Sequence, residues 1–256
     1  KISIKSTKFI FISKSGETYE IKKLLLETIK KIKEKKLKIN ERIIFITEDN
    51  NGYLNNFGKK NNILIHYINP KIGGRFSVLS KSTLIPCELT GIKWKKIVSG
   101  GLKTYKVLEE NNFKLINSLA SFHYNNLLKN KTNTGIISYK DSLNYFGEWF
   151  MQLWGESLGK VKKNGEPIGL TPSRYLGPKD QHSQMQLILD GLKDKTITFL
   201  STEKDENGNS SLKKAVLKEK DATIKALTQK EIPHIEFQIR KLNEETLGSL
   251  FIIFQL

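Results

Sequence analysis

Apolar positions along this 256-residue chain switch between two spacings, and the switching predicts strands and helices in alternation. Residues 9–13 form a short apolar run; 18–36 then place Ile21, Leu24, Leu25, Thr28, Ile29 and Ile32 at the spacing of one helix face. Runs 43–47 and 63–68 read as buried strands, and the Asn-rich stretch between them, with Gly52 and Gly58, as loop. Helices are predicted over 80–92, 111–128, 141–158, 180–192, 212–229 and 244–256, and further strands over 136–139, 196–201 and 235–239. Segment 204–211, with Asn207-Gly208, reads as an exposed loop. Repeats of strand, helix and strand imply right-handed crossovers and mostly parallel sheets covered on both faces, a three-layer α/β arrangement. The pattern begins twice, near Phe9 and again near Ile136, so two lobes are expected.

Composition removes several classes. With 38% hydrophobic residues, 6 Pro and 18 Gly, neither a collagen-like nor a disordered chain fits. Cys87 is the single cysteine, which excludes a disulfide scaffold. No apolar run approaches the ~20 residues that cross a bilayer, so no membrane partner is expected. The net charge of +17 raises the question of nucleic acid, but only Arg42, Arg75, Arg174 and Arg240 are arginines among 43 basic residues. Lysine is a solvated point charge, whereas arginine supplies bidentate recognition. The lysines also travel with Ile and Asn, as a compositional bias of the source would produce. A solvated Lys-rich surface is therefore the reading taken, with no nucleic-acid partner.

The chain starts on Lys and shows no charged segment followed by an apolar stretch and a cleavage site. With one cysteine, the cytoplasm is the expected compartment. The early apolar run, and an apolar stretch over 247–256 that stops without a Gly or Asn cap, lead us to expect that both ends are cut.

Four segments carry candidate chemistry. Ser13-Lys14-Ser15-Gly16-Glu17-Thr18 sits where a strand hands over to a helix, a place that favours an anion; an ordinary N-cap by Ser15 or Thr18 is the competing reading. Gly73-Gly74-Arg75-Phe76-Ser77 follows a strand, and its glycines would permit positive φ and hold Arg75 toward an oxyanion; a turn with a solvated Arg75 competes. Gln152 and Glu156, four apart, share a helix face, and the neighbouring Leu153, Trp154 and Gly155 predict partial burial of a candidate general base; a surface glutamate at a helix end competes. Gly177-Pro178-Lys179-Asp180-Gln181-His182-Ser183 leads into a helix, with His182 in a position to exchange protons or to be structural. His66, His123 and His234 are read as structural. No zinc spacing, Walker A loop or GxGxxG is present, so no metal site is expected.

Taken in order, these segments resemble the glucose-6-phosphate isomerase (phosphoglucose isomerase) family. Leu242-Asn243-Glu244-Glu245-Thr246-Leu247-Gly248 is similar to a late helix of the same family, and the resemblance spans essentially the whole chain. It implies two lobes of the sugar-isomerase (SIS) type: the remainder of a first lobe over 1–90, and connecting helices with a second lobe over 91–256. It implies reversible isomerisation of glucose 6-phosphate and fructose 6-phosphate through a cis-enediol(ate), without metal or organic cofactor. Ser13, Lys14, Ser15 and Thr18 would hold the phosphate, His182 would assist ring opening, and Gln152 would line the pocket. Glu156 would move the proton between C1 and C2, and Arg75 would stabilise the intermediate's charge. The resemblance also implies a homodimer in which the histidine reaches the neighbouring subunit's site.

The chain departs from the family in length. An upstream Gly-Gly-Ser phosphate loop is absent, as is the C-terminal helix that carries a glutamine and a ring-opening lysine. Ser80-Lys81-Ser82-Thr83-Leu84 stands where the family has small or apolar residues ending in Gly-Leu. The alternative is a truncated, catalytically impaired remnant that binds sugar phosphate.

Overall fold

The structure is a computed structural model that describes residues 3–204 and 211–256, in two units, Lys1–Lys95 and Lys96–Leu256. The loop expected around Asn207-Gly208 lies outside the described residues.

In the first unit, β1 (Phe9–Ile12), β2 (Ile43–Thr47) and β3 (Leu64–Tyr67) form a parallel sheet in the order β1-β2-β3. The register pairs Phe9 with Ile43 and Ile44 with Leu64. Every residue of the central strand β2 is buried, the burial that its unbroken apolar run calls for. Helix α1 (Tyr19–Glu34) lays Leu25, Ile29 and Ile32 on the sheet, and with Phe11, Phe45 and Leu54 they build the core.

The Asn-rich stretch is a helix and not a loop: α2 (Tyr53–Lys60) occupies its second half. Asparagine is a poor helix former. Burial of Leu54, stacking of Tyr53 on Phe57 (centroids 5.7 Å apart) and lysines 59 and 60 at the C-terminus offset that propensity. Gly58 is required because a Cβ there would press on Ile65 and Phe45 at 2.7–2.9 Å. After β3 the chain makes a 3₁₀ turn, Gly74–Leu79, and then α3 (Lys81–Leu89), which ends before the predicted residue 92.

The second unit begins within α4 (Trp94–Glu110), a helix that the apolar pattern did not predict, and continues into α5 (Lys114–Leu128). Gly100 and Gly101 disguise α4. Their smallness serves packing, since a Cβ on Gly100 would collide with the Glu245 backbone. The strands β4 (Asn133–Ser138), β7 (Thr171–Leu176), β8 (Lys195–Lys204) and β9 (His234–Lys241) make an all-parallel sheet in the order β7-β4-β8-β9. Strand β7 was also not predicted, because Pro172, Ser173 and Arg174 break its apolar run. Between β4 and β7 lie α6 (Asn144–Leu158) and a small antiparallel pair, β5 (Lys160–Val161) with β6 (Pro167–Ile168).

Neighbouring positions of this sheet feed opposite faces. Ile136 and Leu200 join Phe146 and Phe150 of α6 and Leu250 of α9 (Glu244–Gln255) in one core. Ile137 and Phe199 join Ile188 of α7 (Gln181–Asp190) and Leu227 of α8 (Ser211–Gln229) in the other. Mostly parallel sheets with covering helices confirm the α/β class. Among the described residues no helix is long and apolar enough to cross a membrane.

Candidate active site

The segment Ser13–Thr18 leaves the carboxyl end of β1 and runs into α1, the edge of a parallel sheet where ligands of α/β proteins bind. Gly16 has φ +73°, a left-handed conformation in which a side chain would be strained. Ser13 is buried, and its hydroxyl accepts from the Gly16 amide (3.2 Å) and shares a hydrogen bond with the Thr18 hydroxyl (2.8 Å). The Ser15 hydroxyl accepts from the Glu17 amide at 3.1 Å. Thr18 occupies the N-cap position of α1, yet its hydroxyl caps none of the helix amides and faces Ser13 instead.

The loop is held from behind by the segment joining β2 to α2. The Lys14 carbonyl accepts from the Thr47 hydroxyl (3.2 Å) and the Glu48 amide (3.1 Å), and the Ser15 carbonyl from the Asn50 side-chain amide (3.1 Å). The Gly16 carbonyl accepts from the Leu54 amide at 3.2 Å. Three successive carbonyls thus point toward that segment. Of the amides that follow them, those of Gly16 and Glu17 are taken up inside the loop by the Ser13 and Ser15 hydroxyls, so the loop offers hydroxyls more than free amides to an anion. The Lys14 ammonium donates to the Pro70 carbonyl at 2.9 Å and pairs with Glu48 at 3.4 Å.

Arg75 lies in the 3₁₀ turn of the first unit, its guanidinium 5.0 Å from the Phe76 ring centroid. The positive φ expected of Gly73-Gly74 is not found. Gly73 has φ −62°, and the left-handed glycines of the described residues are Gly16, Gly91 and Gly165. A 3₁₀ turn needs no left-handed residue, so the glycines are not required for backbone strain.

In the second unit, Gln152 donates from Nε2 to Glu156 Oε1 at 3.1 Å, as their four-residue spacing predicts. The partial burial expected of Glu156 is not found, and both side chains are exposed. The buried stripe of α6 runs through Phe146, Gly147, Phe150 and Leu153, and Glu156 lies off it. Arg174 of β7 pins this helix, reaching the Asn144 side chain at 2.7 Å and Glu148 at 3.0 Å.

His182 is the second residue of α7 and exposed. The loop before it is tightly set. Leu176 donates its amide to the Asp180 carboxylate at 2.7 Å, and a Cβ on Gly177 would meet the Tyr139 ring at 2.7 Å. Gln181 donates to the Thr223 hydroxyl, which also accepts from the Tyr139 hydroxyl at 3.3 Å. Burial pushes the Tyr139 phenol up to about 12.

Glu156 and His182 stand at opposite ends of one sheet. A Cβ on Gly155, beside Glu156, would stand 3.7 Å from Pro172 at the start of β7, while His182 follows the end of that strand at Leu176. Four steps of about 3.3 Å, roughly 13 Å, separate Pro172 from Leu176 along the strand. His123 of α5 packs edge-on against Trp154 (centroids 4.8 Å apart), and burial depresses its pKa to about 4.

The bracing residues Asn50, Gly52, Tyr139 and Thr223 were missed by sequence reasoning. Asn50-Asn51-Gly52 carried a weak signal as a turn; Thr223 carried none, since a helical threonine has no distinctive neighbours. Among the described residues, no group of three or more His, Cys, Asp and Glu is placed to hold a metal ion.

The family model for phosphoglucose isomerase matches residues 1–246. A glucose-6-phosphate isomerase of Methanocaldococcus jannaschii is 33% identical over 273 aligned positions, covering 100% of this chain and 66% of that protein. One from Campylobacter jejuni is 36% identical over 200, covering 78% of this chain and 48% of its own length. A crystal structure of a glucose-6-phosphate isomerase from Chlamydia trachomatis superposes with a TM-score of 0.85 at 21% identity, covering 100% of this chain and 54% of that one, a likeness of fold. The chain therefore spans about half to two thirds of the length of the proteins it matches.

Proposed function

The chain belongs to the phosphoglucose isomerase family, and from that premise we propose that it interconverts glucose 6-phosphate and fructose 6-phosphate. The observation that carries the reading is the Ser13–Thr18 loop, whose hydroxyls and left-handed Gly16 form an anion-accepting turn at the carboxyl end of a strand. In this reading the Ser13, Ser15 and Thr18 hydroxyls take the phosphate oxygens, and the Lys14 ammonium adds positive charge partly balanced by Glu48.

Glu156 removes the proton from C2 of the open-chain aldose and returns it to C1, passing through a cis-enediol(ate). Gln152, hydrogen-bonded to Glu156, orients the carboxylate. Arg75 offsets the negative charge that develops on the enediolate oxygen. His182 donates and accepts protons during ring opening. No metal or organic cofactor takes part in these steps. The separation of Glu156 and His182 along β7 favours a homodimer, in which each site takes its histidine from the second copy. We place the enzyme in the cytoplasm, with a hexose 6-phosphate as substrate and neither nucleic acid nor membrane as partner.

An assay coupling fructose 6-phosphate conversion to glucose 6-phosphate oxidation, run on wild type and Glu156→Gln, tests the mechanism. Turnover unchanged by the substitution would sink it. The second reading is a protein that binds hexose phosphate without turnover. A thermal shift with glucose 6-phosphate but no product in the coupled assay would select it.

A further inference from the structure

We propose that Glu17 is a positioning residue that latches the phosphate loop to the first turn of α2, so that the loop is set before any phosphate arrives. The inference rests on the sugar-phosphate reading of that loop. A carboxylate inside a loop that holds a dianion would ordinarily repel it, and the geometry gives this one another task.

Helix α2 begins at Tyr53, and the first amides of any helix lack partners within it. The N-cap position is Gly52, which has no side chain to supply an acceptor. It has to be glycine: a Cβ there would overlap the Ser15 carbonyl and approach Asn50 Oδ1 to 2.8 Å. The close approach of the two segments therefore removes the usual cap, and the phosphate loop replaces it. Glu17 Oε1 accepts from the Tyr53 amide at 2.5 Å, and the Gly16 carbonyl accepts from the next amide, Leu54, at 3.2 Å.

The second carboxylate oxygen of Glu17 pairs with the Lys22 ammonium, which lies 5.3 Å from the Tyr53 ring centroid. Its charge is thus engaged by a cation and a helix N-terminus, and these two partners hold its pKa below the usual carboxylate range.

Latch and simple repulsion predict opposite signs. Glu17→Gln keeps an acceptor for the Tyr53 amide and removes the charge, and should bind glucose 6-phosphate as well as wild type or up to a few-fold tighter. Glu17→Ala removes both, and should bind about 3- to 10-fold more weakly by calorimetric titration, with faster exchange of the Tyr53 amide in the ligand-free protein. If Glu17 acted only as a nearby negative charge, both variants would bind more tightly. Tyr53→Pro completes a cycle. Proline suits the first helical position, Gly52 already has the extended backbone (φ −68°, ψ 160°) that a following proline needs, and no amide is left to latch. In that background Glu17→Ala should have no further effect on affinity.

Equal or tighter binding by Glu17→Ala overturns the latch, as does a full second loss in the proline background. Should Glu17→Ala fail to fold, Tyr53→Pro against Tyr53→Ala decides, since both lose the ring and only proline loses the amide. Weaker binding by the proline variant than by the alanine variant supports the latch; equal binding by the two overturns it. A wild-type protein that binds no hexose phosphate overturns the sugar-phosphate reading and the role built on it. Amide exchange at Tyr53 reports separately whether the capping contact exists.

Discussion

The two units hold their proposed chemistry in contrasting ways. In the first, six consecutive residues are tied by short-range hydrogen bonds and by the β2–α2 segment, so the candidate anion-binding turn is braced within one unit. In the second, Glu156 and His182 are exposed and stand at opposite ends of a sheet, each on a well-fixed element and neither near the other. Phosphate binding needs a few backbone amides and hydroxyls in one turn, which a single loop supplies. Proton transfer along a hexose needs an acid and a base held at the reacting atoms, and here the two candidates sit on different elements.

Substitutions in the two regions should accordingly behave differently. The largest effect is expected at Glu156. Glu156→Gln should lower kcat by about 10²- to 10⁴-fold, the usual contribution of a positioned general base, with KM little changed. Steady-state kinetics check this, and a KM effect alone would move Glu156 from the chemistry to the binding side of the comparison.

His123 supplies a pH test of the second unit. Its folded pKa, about 4, lies below the unfolded value near 6.5, so between those values the unfolded chain binds more protons. Stability is thus complete above about pH 6.5 and is lost as pH falls toward 4, by up to about 3 kcal/mol. Chemical denaturation across this window should show the slope in wild type and its loss in His123→Phe. A slope that survives the substitution would assign it to other groups.

Gly248→Ala should destabilise the protein by about 1–3 kcal/mol, because the new methyl would enter the backbone of α4 at Ile97 and Gly101. A fall in Tm of several degrees checks it. The smallest effect is expected in the Ser13–Thr18 loop. Thr18→Ala removes one neutral hydrogen-bonding group, worth about 0.5–1.5 kcal/mol, and should weaken glucose 6-phosphate binding by about 2- to 10-fold, read by calorimetric titration. A loss as large as that at Glu156 would erase the contrast between a distributed binding turn and a single catalytic group.

The sequence made the strands and helices of both cores legible wherever burial imposed a regular spacing, as in Ile43–Thr47 and Tyr19–Glu34. It failed where long-range packing outweighed local preference. Leu54 and Phe57 turned an Asn-rich stretch into α2, and contact with α9 made Gly100 part of a helix. Strand β7 carries Pro172 and Arg174, and its pairing with β4 comes from the sheet and not from its own residues.

The candidate site divides in the same way. The identity of its groups, the Ser-Lys-Ser-Gly loop, Arg75, Gln152 with Glu156, and His182, was present in the sequence, because chemistry requires particular side chains and they occur in recognisable segments. The i,i+4 contact of Gln152 and Glu156 was also determined there, since helical geometry alone brings such residues together. Tertiary structure decided the exposure of Glu156, the placing of it and His182 on different elements of one sheet, and the bracing of the Ser13–Thr18 loop by Asn50, Gly52 and Tyr53. Each depends on contacts between residues far apart in the chain, and local spacing holds no record of them.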